Sequence, residues 1–412
     1  MDPAVSLPRT LTLLAFTGVG VGLGTLSGLV PGLHANNFAL VLVAVAPAAP
    51  GPPAAVACAV LAAGITHTFL DVVPALALGV PDAAMAAGAL PGHRLVLGGR
   101  GREALRLSAL GSGGALVVAL PVAVPLTALV HHGEADLYAL LPALLVVVFG
   151  LLVVAERRPS KVLAAAFLVC LSGALGLATL GDATTFGGLL TIGGVLTPLF
   201  AGLFGVPVLV DAARSGGVPA QDDAAIAVGP RVVGRSVAAG VAGGGLVGYV
   251  PGVSAGVAAT LSLPLASAGG ERDPDPDRTY LVATSGANTA TAVFALFSLV
   301  ALGAPRTGVT VALGELGHPR LLTLLAVTVV AGVVAAALVP VVGDRYLRLV
   351  GRLDPLKTSL VACALLGLLS YLFAGLAGVA VLGVAALVGL LPVRLGVRRV
   401  HLMGVLAVPL VV

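Results

Sequence analysis

Charge is scarce in this chain. Asp, Glu, Lys and Arg make up 10% of its 412 residues, against 58% hydrophobic residues, and the mean hydropathy is +1.11. A water-soluble globular domain carries about a quarter charged residues, so that class is excluded. Aromatic residues are also few, at 4%. The arginines lie between apolar runs with no aromatic residues interleaved, which argues against a nucleic-acid surface despite a net charge of +4. Cysteine is limited to Cys58, Cys170 and Cys363, each inside an apolar run and without metal-ligand spacing. All three are expected to be small packing residues. Two-residue alternation is missing, which excludes a transmembrane β-barrel. No small-residue cleavage site follows the first apolar run, so that run is expected to be a retained span and not a signal peptide.

What the chain has in abundance is apolar runs about 20 residues long, the length of a helical span. Counting them predicts an all-α, multi-pass protein of the cell membrane with about ten helical spans, some short enough to be half-spans or re-entrant. Two interruptions organise the rest. The first is Gly28-Leu-Val-Pro-Gly-Leu-His-Ala-Asn-Asn37, and the second is Gly248-Tyr-Val-Pro-Gly-Val-Ser-Ala-Gly256. Proline lacks an N–H and glycine permits positive φ, so a helix arriving at either is predicted to break. Broken backbone at membrane depth is tolerated only where protein or a water-filled cavity covers it.

The two halves, 1–215 and 216–412, can be laid over each other. Gly24, Gly28, Pro31 and Gly32 match Gly244, Gly248, Pro251 and Gly252 at a fixed offset of 220. Gly64-Ile-Thr-His-Thr68 then falls opposite Gly286-Ala-Asn-Thr-Ala290, and Leu78-Gly79-Val80-Pro81 opposite Leu302-Gly303-Ala304-Pro305. Charge gives an independent check. The loops 81–106, 156–161 and 211–235 hold four, three and three Lys/Arg, and the turns 131–136 and 181–186 hold none. The basic loops are therefore expected on the cytoplasmic side. Counting spans puts loop 303–320 on the other side from its counterpart 81–106, which predicts two inverted-topology repeats, an architecture of secondary transporters.

Each break frees N–H groups at the start of the next half-helix, and with the helix dipole these favour an anion. Gly32, His34, Asn36 and Asn37 surround the first break, and Gly252 and Ser254 the second. Polar patches inside later spans add Thr66, His67, Thr68, Ser285, Asn288, Thr289 and Thr291, donors suited to carboxylate or phosphate oxygens. The plainer reading is that such residues only bond neighbouring helices. Asp71 is the one acid inside an apolar run. Either it faces a cavity and couples Na⁺ or H⁺, or the span ends early and Asp71 caps a helix before Pro74. No cofactor, metal or nucleic acid is expected. The expected partners are a small anionic substrate and the lipid bilayer, with a homodimer left open.

Several stretches together carry a family resemblance: Gly28-Leu-Val-Pro-Gly-Leu-His34, Gly79-Val-Pro-Asp82, Gly99-Arg-Gly-Arg-Glu-Ala-Leu105, Gly202-Leu-Phe-Gly205, Gly303-Ala-Pro305 and Arg398-Arg-Val-His-Leu-Met-Gly-Val-Leu406. With the second Pro-Gly break, they resemble the TctA large membrane subunit of tripartite tricarboxylate transporters, the last one its archaeal branch. The resemblance implies ion-gradient-driven uptake of carboxylates, in bacterial members together with a small membrane subunit and an extracytoplasmic binding protein. Pro251-Gly-Val-Ser-Ala-Gly256 is also similar to a signature of polyprenyl-phosphate carriers, which makes a lipid-phosphate translocase the alternative. A third reading, an intramembrane enzyme, requires His34, His67 and Asp71 to converge on a reactive centre.

Overall fold

The computed structural model describes residues 7–31, 33, 35, 38–39, 41–42, 46, 49–80, 85–156, 158–180, 195–213, 217–249, 255–267, 275–317 and 320–412. Helices dominate, and there is no strand among the described residues. Seven of the described helices are long and apolar enough to cross a membrane, and four shorter apolar helices accompany them. Large apolar side chains cover the outside: Leu376 is 79% exposed and Leu163 and Val117 are each 72% exposed. Such a surface requires hydrocarbon as its solvent. This is a multi-pass membrane protein.

The chain begins with α1 (Leu7–Gly28), followed by α2 (Pro53–Leu70) and α3 (Val72–Leu78). Next come α4 (Ala86–Leu97), α5 (Gly101–Val154), α6 (Pro159–Leu180) and α7 (Leu196–Ala212), which contains a π-helical turn at Ala201–Gly205. The second half has α8 (Pro230–Gly248), α9 (Ala255–Ser267), α10 (Pro276–Leu302), α11 (Gly308–Leu316), α12 (Leu321–Val350), α13 (Pro355–Gly389) and α14 (Leu391–Leu395). Short 3₁₀ and α turns from Arg399 to Leu410 finish it.

Three local expectations are revised. The loop 81–106 contains helix α4 and the start of α5. The turn expected at 131–136 is helical, because α5 continues through it for 54 residues with Pro121, Pro125 and Pro142 inside. Cys170 is exposed, whereas Cys58 is buried. Helix α13 is divided at Gly375, whose φ of 63° and ψ of −158° only glycine adopts readily.

Both arriving helices stop three residues before their proline, α1 at Gly28 and α8 at Gly248. Each docks on a neighbour through glycines spaced by four, which let backbones approach closely. A Cβ on Gly20 or Gly24 would run into the Ala59 or Ala63 carbonyl, and one on Gly28 would sit 2.7 Å from the Leu70 Cβ. In the second half a Cβ on Gly240 would sit 2.6 Å from the Ala283 carbonyl oxygen, and on Gly244 or Gly248 2.6 Å from the Cβ of Ala290 or Phe294. The glycines keep the shift of 220, but their partners Ala59 and Leu70 correspond to Ala283 and Phe294, a shift of 224. Gly79 and Gly303, also 224 apart, both end their helices in the left-handed region at φ 67° and 65°. The polar patches therefore stand two residues out of the register that matched Gly64 with Gly286.

The charged loops gather at one end. Arg94 pairs with Asp277, Arg102 with Asp344 at 2.7 Å, and Arg106 with Asp223 at 2.6 Å. Glu156 pairs with Arg398 at 2.9 Å and Asp211 with Arg399 at 3.2 Å. At the centre Glu103 is fully buried and accepts from Arg278 Nε and Nη2, both at 2.8 Å, from Arg100 Nε at 2.6 Å and from the Ala227 N–H at 2.7 Å. Helix α10 starts at this end and leads away from it. The α2–α3 rod finishes here, with Ala77 and Leu78 lining the same cavity as Arg94 and Asp211. The two helices that carry the polar patches thus run in opposite directions.

Candidate functional site

Helix α2 is buried along nearly its whole length, from Ala55 to Leu70. A helix shielded on every side has no need of an amphipathic pattern, which is why its run is continuously apolar. Its polar residues are then the exception that needs partners. Pro74 has no N–H to return to the Leu70 carbonyl, and the helix is interrupted at Asp71.

Asp71 is 4% exposed, every residue of α3 beyond it is buried, and its side chain makes no capping bond. Of the two readings open for this residue, the interfacial cap does not hold; the carboxyl group lies inside the protein. Across from it, Asn288 of α10 donates through Nδ2 to Asp71 Oδ2 at 2.7 Å and to the Thr68 carbonyl at 3.3 Å. The patches from the two halves therefore touch directly. Asn288 lies on α10 and Asp71 at the α2–α3 break, the helices that pass in opposite directions.

Two other elements close around the patch. Ser27 of α1 shares a hydrogen bond with His67 Nδ1 at 2.9 Å. The Phe38 ring, from the segment after the first break, stacks on the His67 ring with centroids 6.4 Å apart and planes 19° apart. Phe38 thus lies against α2. The hydroxyls of Thr66 and Thr289 are buried and have no hydrogen-bond partner among the described residues. Thr68 and Thr291 bond back to the carbonyls of Ile65 and Ala287, both at 2.8 Å.

Ser285 faces elsewhere. Its hydroxyl meets Ser108 of α5 at 2.8 Å, and its carbonyl accepts from Ser112 at 3.2 Å. It pins α10 to α5, as the plainer reading of intramembrane serines has it. Gly32, His34, Asn36, Asn37, Gly252 and Ser254 lie outside the described residues. Sequence reasoning missed Ser27, although a signal was present: it follows Gly20 by seven positions, on the same helical face as the glycine ladder. It also missed the buried Glu103–Arg278 pair, whose partners are 175 residues apart.

No group of three His, Cys, Asp or Glu able to hold a metal ion occurs among the described residues. What the geometry offers is a buried carboxyl held by an amide, a histidine held by a serine, and two threonine hydroxyls. That set can bind a small cation or proton at the carboxyl and hydrogen-bond an anion with the remaining donors.

The chain matches, over residues 14–404, the family described as the tripartite tricarboxylate transporter TctA family. The chain belongs to that family. The match covers both glycine ladders, the Asp71–Asn288 contact and the charged end. This TctA-family chain is also 28% identical over 296 residues to an uncharacterized protein of Methanocaldococcus jannaschii, covering 72% of this chain and 71% of that protein. No solved structure matches it. Family membership makes the chain a transporter component.

Proposed function

We propose that the chain is an ion-coupled secondary transporter of small organic anions, carboxylates above all. Its substrate is held between the two broken-helix regions, and its coupling cation, Na⁺ or H⁺, binds at Asp71. The observation that carries this reading is the direct Asn288–Asp71 contact, at 2.7 Å, between polar patches on oppositely directed helices. The opposite directions also support an inverted pair of repeats, with a boundary near residue 215. Gly32, His34, Asn36, Asn37, Thr66, His67, Gly252, Ser254, Ser285, Asn288 and Thr289 are the substrate-side residues of this proposal. Ser285 acts within it by fixing α10, not by touching the anion.

Electrostatics gives the coupling its sign. A carboxylate substrate about 6 Å from an ionised Asp71 meets a repulsion of about 3 kcal/mol at an effective dielectric of about 20. A proton or Na⁺ at Asp71 removes that repulsion, which corresponds to roughly a hundredfold gain in anion affinity. Cation and anion therefore bind with positive cooperativity, the requirement for symport.

The test is carboxylate binding and uptake with purified protein in detergent and in liposomes, with and without Na⁺ and across a pH range. Wild type is expected to bind a carboxylate more tightly as the coupling ion is added, and Asp71→Asn to bind it without that dependence. A protein that binds an isoprenyl phosphate and no carboxylate under any of these conditions refutes the proposal.

A further inference from the structure

Two cavities at the charged end share a wall. One of about 250 Å³ lies among α3, α4, α7 and the start of α13. The other, a cleft of about 790 Å³, opens between the end of α5, the start of α6, α9 and the C-terminal segment. Arg94 and Arg399 line both. Arg399 is 7% exposed. Its Nη2 reaches Asp211 Oδ2 at 3.2 Å, but its Nη1 is buried with no hydrogen-bond partner among the described residues. A buried guanidinium N–H without an acceptor is costly, and folded proteins rarely leave one so. An acceptor belongs there.

The cleft also says what kind. Arg94, Lys161, Arg398 and Arg399 line it against the single acid Glu156. Arg398 is engaged with Glu156 at 2.9 Å, and Lys161 has no ion pair among the described residues. The rest of the wall is mainly apolar, and two of its members, Leu151 and Val393, are 58% and 59% exposed on the outer surface. Cations at the charged end of a membrane protein, next to outward apolar side chains, suit a ligand with an anionic head and hydrocarbon tails.

We propose that this cleft is a binding site for an anionic phospholipid, whose phosphate is held by Arg399 Nη1 and Lys161 and whose tails run along Leu151 and Val393. The bound lipid fastens the C-terminal segment to α5 and α6 at the charged end. The site is separate from the Asp71–Asn288 core and stands whether or not the transport proposal does.

The test uses the full chain, purified and delipidated in detergent. It is titrated with phosphatidylglycerol, phosphatidylcholine or inorganic phosphate and followed by native mass spectrometry and thermal unfolding. Phosphatidylglycerol is expected to remain bound and to raise the unfolding temperature, while phosphatidylcholine and free phosphate do neither at the same concentration. Lys161→Gln is expected to weaken phosphatidylglycerol binding about fivefold, the effect of one basic residue near an anionic headgroup, and Arg399→Gln to weaken it further. Because Arg399→Gln also removes a buried ion pair, Lys161→Gln carries the test if that variant does not fold. Equal responses to the two lipids, a full response to phosphate alone, or wild-type titration of Lys161→Gln would each overturn the proposal.

Discussion

The Asn288–Asp71 contact can be weighed by a double-mutant cycle. Asn288 donates to the Asp71 carboxyl at 2.7 Å, and both residues are at least 95% buried. If Asp71 is ionised at rest, this bond is charge-assisted and contributes about 1.5–3 kcal/mol. If Asp71 holds a proton, the pair is neutral, and such bonds inside membranes average about 0.6 kcal/mol. The four proteins are wild type, Asn288→Ala, Asp71→Ala and the double variant, unfolded reversibly in mixed micelles at two pH values. The bond from Asn288 to the Thr68 carbonyl, at 3.3 Å, is lost in both Asn288 variants and cancels from the coupling term. The expected coupling is about 2 kcal/mol at high pH, falling toward about 0.6 once Asp71 is protonated. A second cycle that starts from Asp71→Asn in place of wild type, and replaces residues 71 and 288 by Ala, is expected to stay near the lower value at both pH values. Coupling within about 0.3 kcal/mol of zero, the range in which independent sites add, would refute the view that the two patches act as one unit. The transport proposal would lose its main support.

Three further outcomes follow from the packing and the charged end. Gly24→Ala, which drives a Cβ onto the Ala63 carbonyl and to 2.8 Å from the Thr66 Cβ, should destabilise the protein by about 1–3 kcal/mol in thermal or denaturant unfolding. Gly22→Ala, with nothing within 4 Å of its Cβ, should be neutral or stabilise by up to about 1 kcal/mol; similar effects of the two would contradict the docking of α1 on α2. Arg278→Ala leaves Glu103 buried without its two-pronged partner and should cost about 3–5 kcal/mol, whereas Arg348→Ala breaks a half-exposed pair with Asp344 and should cost less than about 1 kcal/mol in the same assay. Acid should release the C-terminal segment. For Glu156 burial raises the carboxyl pKa, but hydrogen bonds from His401 and Arg398 outweigh it and hold the group below its ordinary value of 4.5. Burial pushes His401 below its ordinary 6.5, although Glu156 opposes this. Both groups bind more protons unfolded than folded, so their contributions are full above those ordinary values and are lost as pH falls through the lowered ones. Protection factors over 399–412, taken against the intrinsic exchange rate at each pH, should fall as pH drops from 7 toward 4, and Glu156→Gln should flatten the most acidic part of that profile; protection that falls toward high pH would reverse the assigned sign.

Much of the architecture is a property of the sequence alone. Scarce charge and apolar runs of helical length dictate membrane helices, because in hydrocarbon each backbone polar group must be satisfied within its own segment. Helices α1 and α8 end at Gly28 and Gly248, three residues ahead of Pro31 and Pro251 in the sequence, and Gly375 divides α13, since a glycine's backbone freedom acts at the residue itself. Gly24, Gly28, Gly244 and Gly248, matched in the sequence at a shift of 220, lie at close helix contacts, because a spacing of four keeps one helical face. The partners of the polar side chains were not. Each residue turns a helix by about 100°, so the two-residue slip between the expected and observed registers rotates a side chain by about 200°. Direction also changes along one helix: Ser285 and Asn288, three residues and about 60° apart around α10, turn toward Ser108 on α5 and toward Asp71. The burial of Glu103 beside Arg278 is likewise set across 175 residues of chain. The sequence by itself determined which segments are apolar and long enough to cross a bilayer; only the packing of one helix against another decided which polar groups meet, because facing direction depends on rotation and register that no single segment contains.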